Sequence, residues 1–596
     1  MGRTKFPPAV TLVVLAILVG ALLGTASAFL MRSQSQAVHS VAAPDTTSKS
    51  PDLSPPAEPI ALPEADRQLI WDAEHHALEL SRRAIPQLTR ALKERNLDAL
   101  LGQFAGEFEG SLPSLENSAS RSHGPLHTRV YSASPELGTT DSEEFCHALL
   151  RLIASFERVD GAQLAVTEFR PESQSSTEPC WGGRWKLRLW GTTVDSPCEF
   201  VMDGTFRVAS VEPEALASDG WLLAWNSSEG EMRTAEAPLM RQAADQFGFA
   251  VEDLFDSWQF TSGPPPVISG GVFVSDYDGD GRPDVLVSDI LRGNMLYRAA
   301  TDGTVSEVAA LAGVSPIIES GRPVMWFDFD NDGFDDLLMG KVLLKNCGTG
   351  EFADGASSLG VSNLPVASGY VVADYDNDGL LDFYLARASG GPKSGPGKRS
   401  SWLRDETGPG NQLWRNCEGS FEDVTADTNA SAGRRSTFTA AWLHADADPL
   451  IDLAVIDEFG APVLLRNLGG SFEQRPLTDG FGGFCMGIAT GDLDSDGQTD
   501  LYMANMYSKA GNRIFANLRE DVYPNEVYSK LMEFTRGNEI QRNLGNGKFE
   551  KKGLAARVND VGWAYGPAMF DVDNDGRLDL YSPAGFQSIS RDEPDG

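Results

Sequence analysis

One nonapeptide pattern, D-x-D-x-D-G-x-x-D, recurs five times in the second half of this chain and restricts its fold more than any other feature. The copies are Asp276-Tyr277-Asp278-Gly279-Asp280-Gly281-Arg282-Pro283-Asp284, Asp328-Phe329-Asp330-Asn331-Asp332-Gly333-Phe334-Asp335-Asp336 and Asp374-Tyr375-Asp376-Asn377-Asp378-Gly379-Leu380-Leu381-Asp382. Asp492-Leu493-Asp494-Ser495-Asp496-Gly497-Gln498-Thr499-Asp500 and Asp571-Val572-Asp573-Asn574-Asp575-Gly576-Arg577-Leu578-Asp579 complete the set. A degenerate copy, His444-Ala445-Asp446-Ala447-Asp448-Pro449-Leu450-Ile451-Asp452, lies between the third and the last two.

Four carboxylates in nine residues repel one another. Two unit charges about 5 Å apart cost roughly 3 kcal/mol at an effective dielectric near 20. A folded loop that gathers them calls for a cation. Carboxylate oxygens without His or Cys favour calcium over zinc or copper. Positions 1, 3, 5 and 9 would supply side-chain oxygens. Position 7 would supply its backbone carbonyl, so its side chain is free to vary among Arg282, Phe334, Leu380, Gln498 and Arg577. Gly at position 6 permits the sharp turn. The degenerate copy has His444 at position 1 and Pro449 at position 6, so its calcium is expected to be weak or absent.

An EF-hand would need a bidentate Glu at position 12. Val287, Met339, Leu385, Met503 and Ser582 stand there instead. Apolar runs such as Val285-Leu286-Val287 follow the loops, so each loop leads into a strand and not a helix. The loops start at 276, 328, 374, 444, 492 and 571, at intervals of 52, 46, 70, 48 and 79. Three intervals are near 50, the length of one propeller blade. The long ones hold insertions: a Gly/Pro-rich loop over 389–410 with Lys393, Lys398, Arg399 and Arg404, and a helix within 517–537.

A second element repeats after each acidic strand. It reads Leu296-Tyr297-Arg298, Leu344-Lys345-Asn346, Trp414-Arg415-Asn416, Leu465-Arg466-Asn467 and Gln541-Arg542-Asn543, the last four followed by a Gly turn and Phe352, Phe421, Phe472 or Phe549. The loops and these hairpins resemble the FG-GAP/VCBS repeats of integrin-α-like β-propellers. The run Met503-Ala504-Asn505-Met506-Tyr507-Ser508-Lys509-Ala510-Gly511-Asn512-Arg513 is more similar to the ASPIC/UnbV, or cartilage-acidic-protein-like, branch. The resemblance covers about residues 262–596. It implies an extracytoplasmic propeller of about seven blades, with calcium stiffening hairpin loops and partners binding elsewhere. The C-terminal domain common in that branch is not present in this sequence. Gly596 falls inside the sixth acidic repeat, so closure would use a strand from before Gly271 or residues beyond those given; the second is the favoured expectation.

The first residues read differently. Arg3 and Lys5 precede an uncharged stretch from Phe6 to Met31, long enough to span a bilayer with its basic end in the cytoplasm. Ala26-Ser27-Ala28 has the form of a signal-peptidase site, so a cleaved signal and a secreted chain are the alternative. The apolar stretch exceeds the usual signal core, which favours an uncleaved anchor. Either way the bulk is expected outside the cytoplasm, periplasmic or extracellular. Residues 32–63 are Pro/Ser-rich and read as an extended spacer.

From residue 64 to 240 the pattern is α+β. Ile70, Ala73, Ala77, Leu80, Ala84, Leu88 and Ala91 form one helical face, which Pro86 should kink. A short helix near 146–153 follows, and Trp185, Leu187 and Leu189 alternate with Lys186 and Arg188 as a half-buried strand. Adjacent His75 and His76 point apart on a helix, so they read as solvated or core residues and not a metal pair. Cys180 and Cys198 flank consecutive strands and are a candidate disulfide in an oxidising compartment.

The expected architecture is mainly β. A transmembrane helix (1–31), a linker (32–63) and a small α+β domain (64–240) precede a six- to seven-bladed calcium-loop β-propeller (241–596). With 49 basic and 85 acidic residues, the net charge of −36 argues against a nucleic-acid partner. The expected role is a membrane-anchored binding, adhesion or assembly module with about five calcium ions and a protein or glycan partner in the cell envelope. The Lys393–Arg404 segment is the best sequence candidate for contacting an acidic ligand. The alternative is an envelope hydrolase using Asp/Glu acid–base chemistry. The chain has neither a G-x-S-x-G elbow nor an H-E-x-x-H motif, and only His444 lies beyond residue 150.

Overall fold

The structure, a computed structural model, describes residues 63–584 apart from 140, 173–179, 195, 241, 254–269, 290–292, 316–322, 356–358, 362–363, 389–407, 479–482, 520, 522–524 and 553–557. The expected anchor, most of the spacer, the Lys393–Arg404 segment and the end of the chain lie outside these residues. Among the described residues no helix is long and apolar enough to cross a membrane. The chain forms two compact units, one of 63–242 with 508–528, the other of 243–507 with 529–584.

The first unit is α+β. Helix α1 (Glu64–Arg83) is followed without a loop by α2 (Ile85–Glu94), because Pro86 cannot donate within a continuous helix but fits the first turn of a new one. The apolar stripe Ile70, Ala73, Ala77, Leu80, Ala84, Leu88 and Ala91 is buried throughout. Helices α3 (Leu97–Leu101) and α4 (Ser142–Leu152) follow, the latter capped by Asp141 accepting from the backbone of Glu143 and Glu144.

The sheet holds β1 (Phe104–His123), β2 (Leu126–Thr139), β3 (Arg158–Pro171), β4 (Trp181–Thr192), β5 (Pro197–Val208) and β6 (Leu222–Ala235), in spatial order β1-β2-β6-β5-β4-β3. Alternation in β4 buries Trp185, Leu187 and Leu189 beneath the helices. The polar, Ser-rich strands β1 and β2 give no such alternation and were not anticipated. His76 packs edge-on against Trp181 at 4.8 Å, and burial holds its imidazole below the ordinary value, as befits a packed residue. The candidate disulfide does not form. Cys198 pairs in register with Gly191, while Cys180 precedes Trp181, which pairs with Val208. The two thiols therefore sit at opposite ends of the β4–β5 ladder, on the order of 30 Å apart at the rise of a strand.

The first unit also includes a segment from far along the chain. Helix α5 (Lys509–Asn517), capped by Ser508, packs on α1 and β3. Arg513 forks onto both carboxylate oxygens of Glu74 at 3.0 Å and donates to the Val166 carbonyl, while Asn517 donates to the Phe169 carbonyl. The sequence placed a helix within 517–537. The structure has α6 there (Asn525–Glu533) and α5 ahead of it. Arg513→Ala should cost roughly 2–4 kcal/mol, since it leaves Glu74 and a buried carbonyl unpaired. A denaturant melt followed by tryptophan fluorescence checks this; a loss below about 1 kcal/mol would contradict the clamp.

The second unit is mainly β. Among the described residues it has five four-stranded antiparallel sheets, spanning 270–307, 324–354, 369–423, 437–476 and 485–551, and a two-stranded sheet at 568–581. Each four-stranded sheet is a meander in chain order, and the first strands of successive sheets lie side by side. The second strands of the four middle sheets, such as Asp382–Ala386 and Asp452–Asp457, are fully buried runs, as central strands covered on both faces should be. Apolar side chains of neighbouring sheets merge into shared cores, for example Phe329, Leu343, Tyr370, Phe383 and Phe421.

Candidate metal centres

Every acidic nonapeptide is the hairpin between the first and second strands of its sheet. The register is uniform: the ninth residue opens the second strand opposite the last residue of the first. The pairs are Ser275–Asp284, Phe327–Asp336, Ala373–Asp382, Leu443–Asp452, Gly491–Asp500 and Phe570–Asp579.

The five complete loops share one internal template. The position-1 carboxylate accepts from the backbone N–H of positions 5 and 6, as Asp328 does from Asp332 at 3.1 Å and Gly333 at 2.8 Å. Asp276, Asp374, Asp492 and Asp571 repeat this arrangement. The position-5 carboxylate accepts from position 7, so Asp280, Asp332, Asp378, Asp496 and Asp575 hold the backbone of Arg282, Phe334, Leu380, Gln498 and Arg577. Two residues per loop are left-handed: position 4 (Gly279, Asn331, Asn377, Ser495, Asn574) and the position-6 glycine. At position 6 the positive φ requires glycine's freedom.

This folding turns carboxylates towards one point. In Asp276–Asp278–Asp284, Asp328–Asp330–Asp332, Asp374–Asp376–Asp382, Asp492–Asp494–Asp500 and Asp571–Asp573–Asp579, one oxygen from each residue lies within 4.8 Å of the others. The electrostatics suit a cation. Burial, aided by the neighbouring carboxylates, pushes Asp336 and Asp382 up to about 7. Burial raises Asp284, Asp376 and Asp500 as well. Asp278 Oδ1 and Asp376 Oδ1 are buried without a hydrogen-bond partner. An oxygen-only donor set with orphaned carboxylate oxygens fits calcium.

The position-9 carboxylate has a second duty. Its Oδ1 accepts from the third strand, for instance from Asn346, Asn416, Asn467 and Asn543 N–H at 2.7–2.8 Å. The side chain of each such Asn then reaches back to the preceding loop. Asn346 donates to the Tyr277 carbonyl, Asn416 to Phe329 and Asn467 to Tyr375, each at 2.7 Å, and Asn543 to His444 at 3.0 Å. All four Asn are buried. The same loop residues pack on the next sheet's aromatic: Tyr277 on Phe352, Phe329 on Phe421 and Tyr375 on Phe472. The first four loops are thus bolted to the following sheet. The Lys/Arg-Asn dipeptide was visible in the sequence as a repeat, but nothing there showed what the amide grips.

The degenerate loop departs from the template at linked points. In the other loops Gly N–H at position 6 donates to Asp at position 1. Here Pro449 has no N–H and His444 has no carboxylate, so donor and acceptor are lost together. His444 Nδ1 lies 3.2 Å from the Leu450 carbonyl, the oxygen that position 7 would offer a metal. Neither Ala447 nor Pro449 is left-handed. Arg466 pairs with Asp446 at 2.7 Å and Asp448 at 3.2 Å.

Comparison with known proteins shows what this geometry is similar to. The FG-GAP-like repeat matches residues 276–339, 445–503 and 531–582. Cartilage acidic protein 1 of Mus musculus is 26% identical over 317 residues, covering 49% of this chain and 45% of that protein, so the match spans about half of the relative's length. Among solved structures, Trypanosoma rangeli sialidase aligns over 62% of this chain and 57% of its own, at 11% identity and a TM-score of 0.20. Its complex with sialic acid gives 9% identity and 0.18, over 62% and 56%. Scores that low carry no argument about this chain. The repeat match and the curated relative, taken with the loop-and-hairpin template, show that this chain carries FG-GAP-like repeats and is similar to a protein of the cartilage-acidic-protein-like, or ASPIC/UnbV, branch.

Proposed function

We propose that this chain is a membrane-anchored, extracytoplasmic β-propeller of at least six blades that works as a binding, adhesion or assembly module with calcium in five hairpin loops. The observation that carries the reading is the common template of the five loops, which converges three carboxylates in each; the first three are also fixed to the next sheet by its buried Asn. Calcium supplies charge neutralisation and holds the loop closed. Asp at positions 1, 3, 5 and 9 and the carbonyl at position 7 would hold it. The chain's own residues then transmit that order. In the first three repeats a stiff loop keeps the position-2 carbonyl under the amide of the following Asn, so a loaded site there stiffens a joint between sheets and not a reaction centre. Partner contacts fall to other surfaces, with a protein or glycan of the cell envelope as the expected class.

The test is capture of envelope components by the immobilised full chain, in calcium and in chelator. Partners retained by the folded chain in calcium and released on chelation are expected. Retention by denatured protein alone would contradict a binding module. Turnover in a broad hydrolase screen, lost with the carboxylates and not with partner binding, would favour the enzymatic alternative.

A further inference from the structure

Each repeat with a described third strand carries a basic residue there, immediately before the interlocking Asn or its equivalent: Arg298, Lys345, Arg415, Arg466 and Arg542. Four of the five lie over the acidic loop of their own sheet. Arg298 Nε is 2.5 Å from Asp278, and Lys345 Nζ pairs with Asp330 and, at 3.2 Å, Asp332. Arg542 contacts Asp494 at 2.5 Å and Asp496 at 2.8 Å, and Arg466 contacts Asp446 and Asp448. Each reaches the position-3 carboxylate, which in the first, second and fifth repeats is a member of the converging set. Arg415 is the exception: its ion pair is with Glu422 at 3.3 Å and not with a carboxylate of its loop.

We propose that the third-strand cation is a tethered counterion that competes with calcium for its own loop and that in the fourth repeat it has replaced the metal altogether. The inference rests on the calcium reading above for the exchangeable loops; the fourth loop stands independently of it. A guanidinium or ammonium over two carboxylates relieves the repulsion that otherwise demands an ion. Lys345 and Arg542 are about two-fifths exposed and can swing to solvent when displaced. In the fourth repeat no exchange is open: the position-1 carboxylate is absent, the position-7 carbonyl faces His444, and the left-handed turn is gone. The repeats form a graded series. The third is unopposed, the first, second and fifth are opposed, and the fourth is permanently closed.

The experiment compares the full chain with Arg466→Met, Arg466→Lys and Arg542→Met, by calcium titration with ion counting and by thermal melts in calcium and in chelator. In chelator, Arg466→Met and Arg542→Met are expected to melt below the parent, and Arg466→Lys close to it. In calcium, Arg542→Met should recover the parent's melting temperature and bind its ion about tenfold more tightly, a change worth roughly 1.4 kcal/mol. Arg466→Met should stay low, with no extra ion. An added ion and full recovery in Arg466→Met would overturn the replacement. Unchanged calcium affinity in Arg542→Met would overturn the competition, and it remains decisive if Arg466→Met does not fold. Absence of calcium binding by the parent would defeat the calcium reading itself, and the chelator melts of the Arg466 variants would still decide the fourth loop.

Discussion

Replacing Asn467 by alanine is expected to lower the stability of the repeat region by roughly 3–5 kcal/mol, because three side-chain hydrogen bonds are lost at a site with no access to water. Asn467 is fully buried. Its Nδ2 donates to the Tyr375 carbonyl at 2.7 Å and the Ile451 carbonyl at 3.1 Å, and its Oδ1 accepts from Gly469 N–H at 2.9 Å. Alanine strands two carbonyls and one N–H. Asn467→Asp keeps the shape but faces a carboxylate at two carbonyls, so it should cost at least as much. Denaturant melts in calcium and in chelator measure both. The loss should persist in calcium, since the grip of Asn467 on the third loop is made by protein atoms. A cost below about 1 kcal/mol for Asn467→Ala would mean that the sheets are not held through this amide.

The second large effect is on pH dependence. Burial raises Asp336 and Asp382 to about 7 in the ion-free chain, each against backbone hydrogen bonds that pull the other way. Both folded values exceed the ordinary carboxyl value, so the ion-free fold favours the protonated form. That contribution is complete below about pH 4 and is lost as pH rises through about 7. A rise of this size corresponds to up to roughly 4 kcal/mol for each carboxyl. The ion-free chain should therefore be more stable at pH 5 than at pH 8. Calcium favours the ionised carboxylates, so its stabilising effect should be small at pH 5 and greatest at pH 8. Thermal melts across this range, with and without calcium, measure both trends. An ion-free chain that gains stability from pH 5 to pH 8 would contradict the assignment of these two buried carboxyls.

The acidic loops were legible because their chemistry is local. Nine residues specify the turn, the left-handed glycine and the carboxylates, and the following apolar run specifies a buried strand. The helical face from Ile70 to Ala91 was legible for the same reason, as a period within one element. What escaped was pairing between distant segments. An amphipathic nine-residue helix such as Lys509–Asn517 declares an apolar face but not its partner, and Arg513 meets Glu74, which lies 439 residues earlier. The amides of Asn346, Asn416 and Asn467 were visible as a repeated letter, while their targets lie in another sheet. Arg466 looked like any basic strand residue until the fold set it over Asp446 and Asp448. Strands β1 and β2 escaped because Ser-rich sequence such as Ser114–Ser122 carries no alternation. Cys180 and Cys198 misled for the converse reason: flanking the same pair of strands does not bring two residues to the same end of it.

Ion counting by native mass spectrometry, paired with a thermal melt before and after chelation, tests the central claim most directly. Five calcium ions per chain are expected, one for each complete loop, with a large fall in melting temperature when they are removed. A chain that binds no calcium and melts identically in chelator would contradict the account, because the carboxylates gathered in the five loops would then be held by the protein alone.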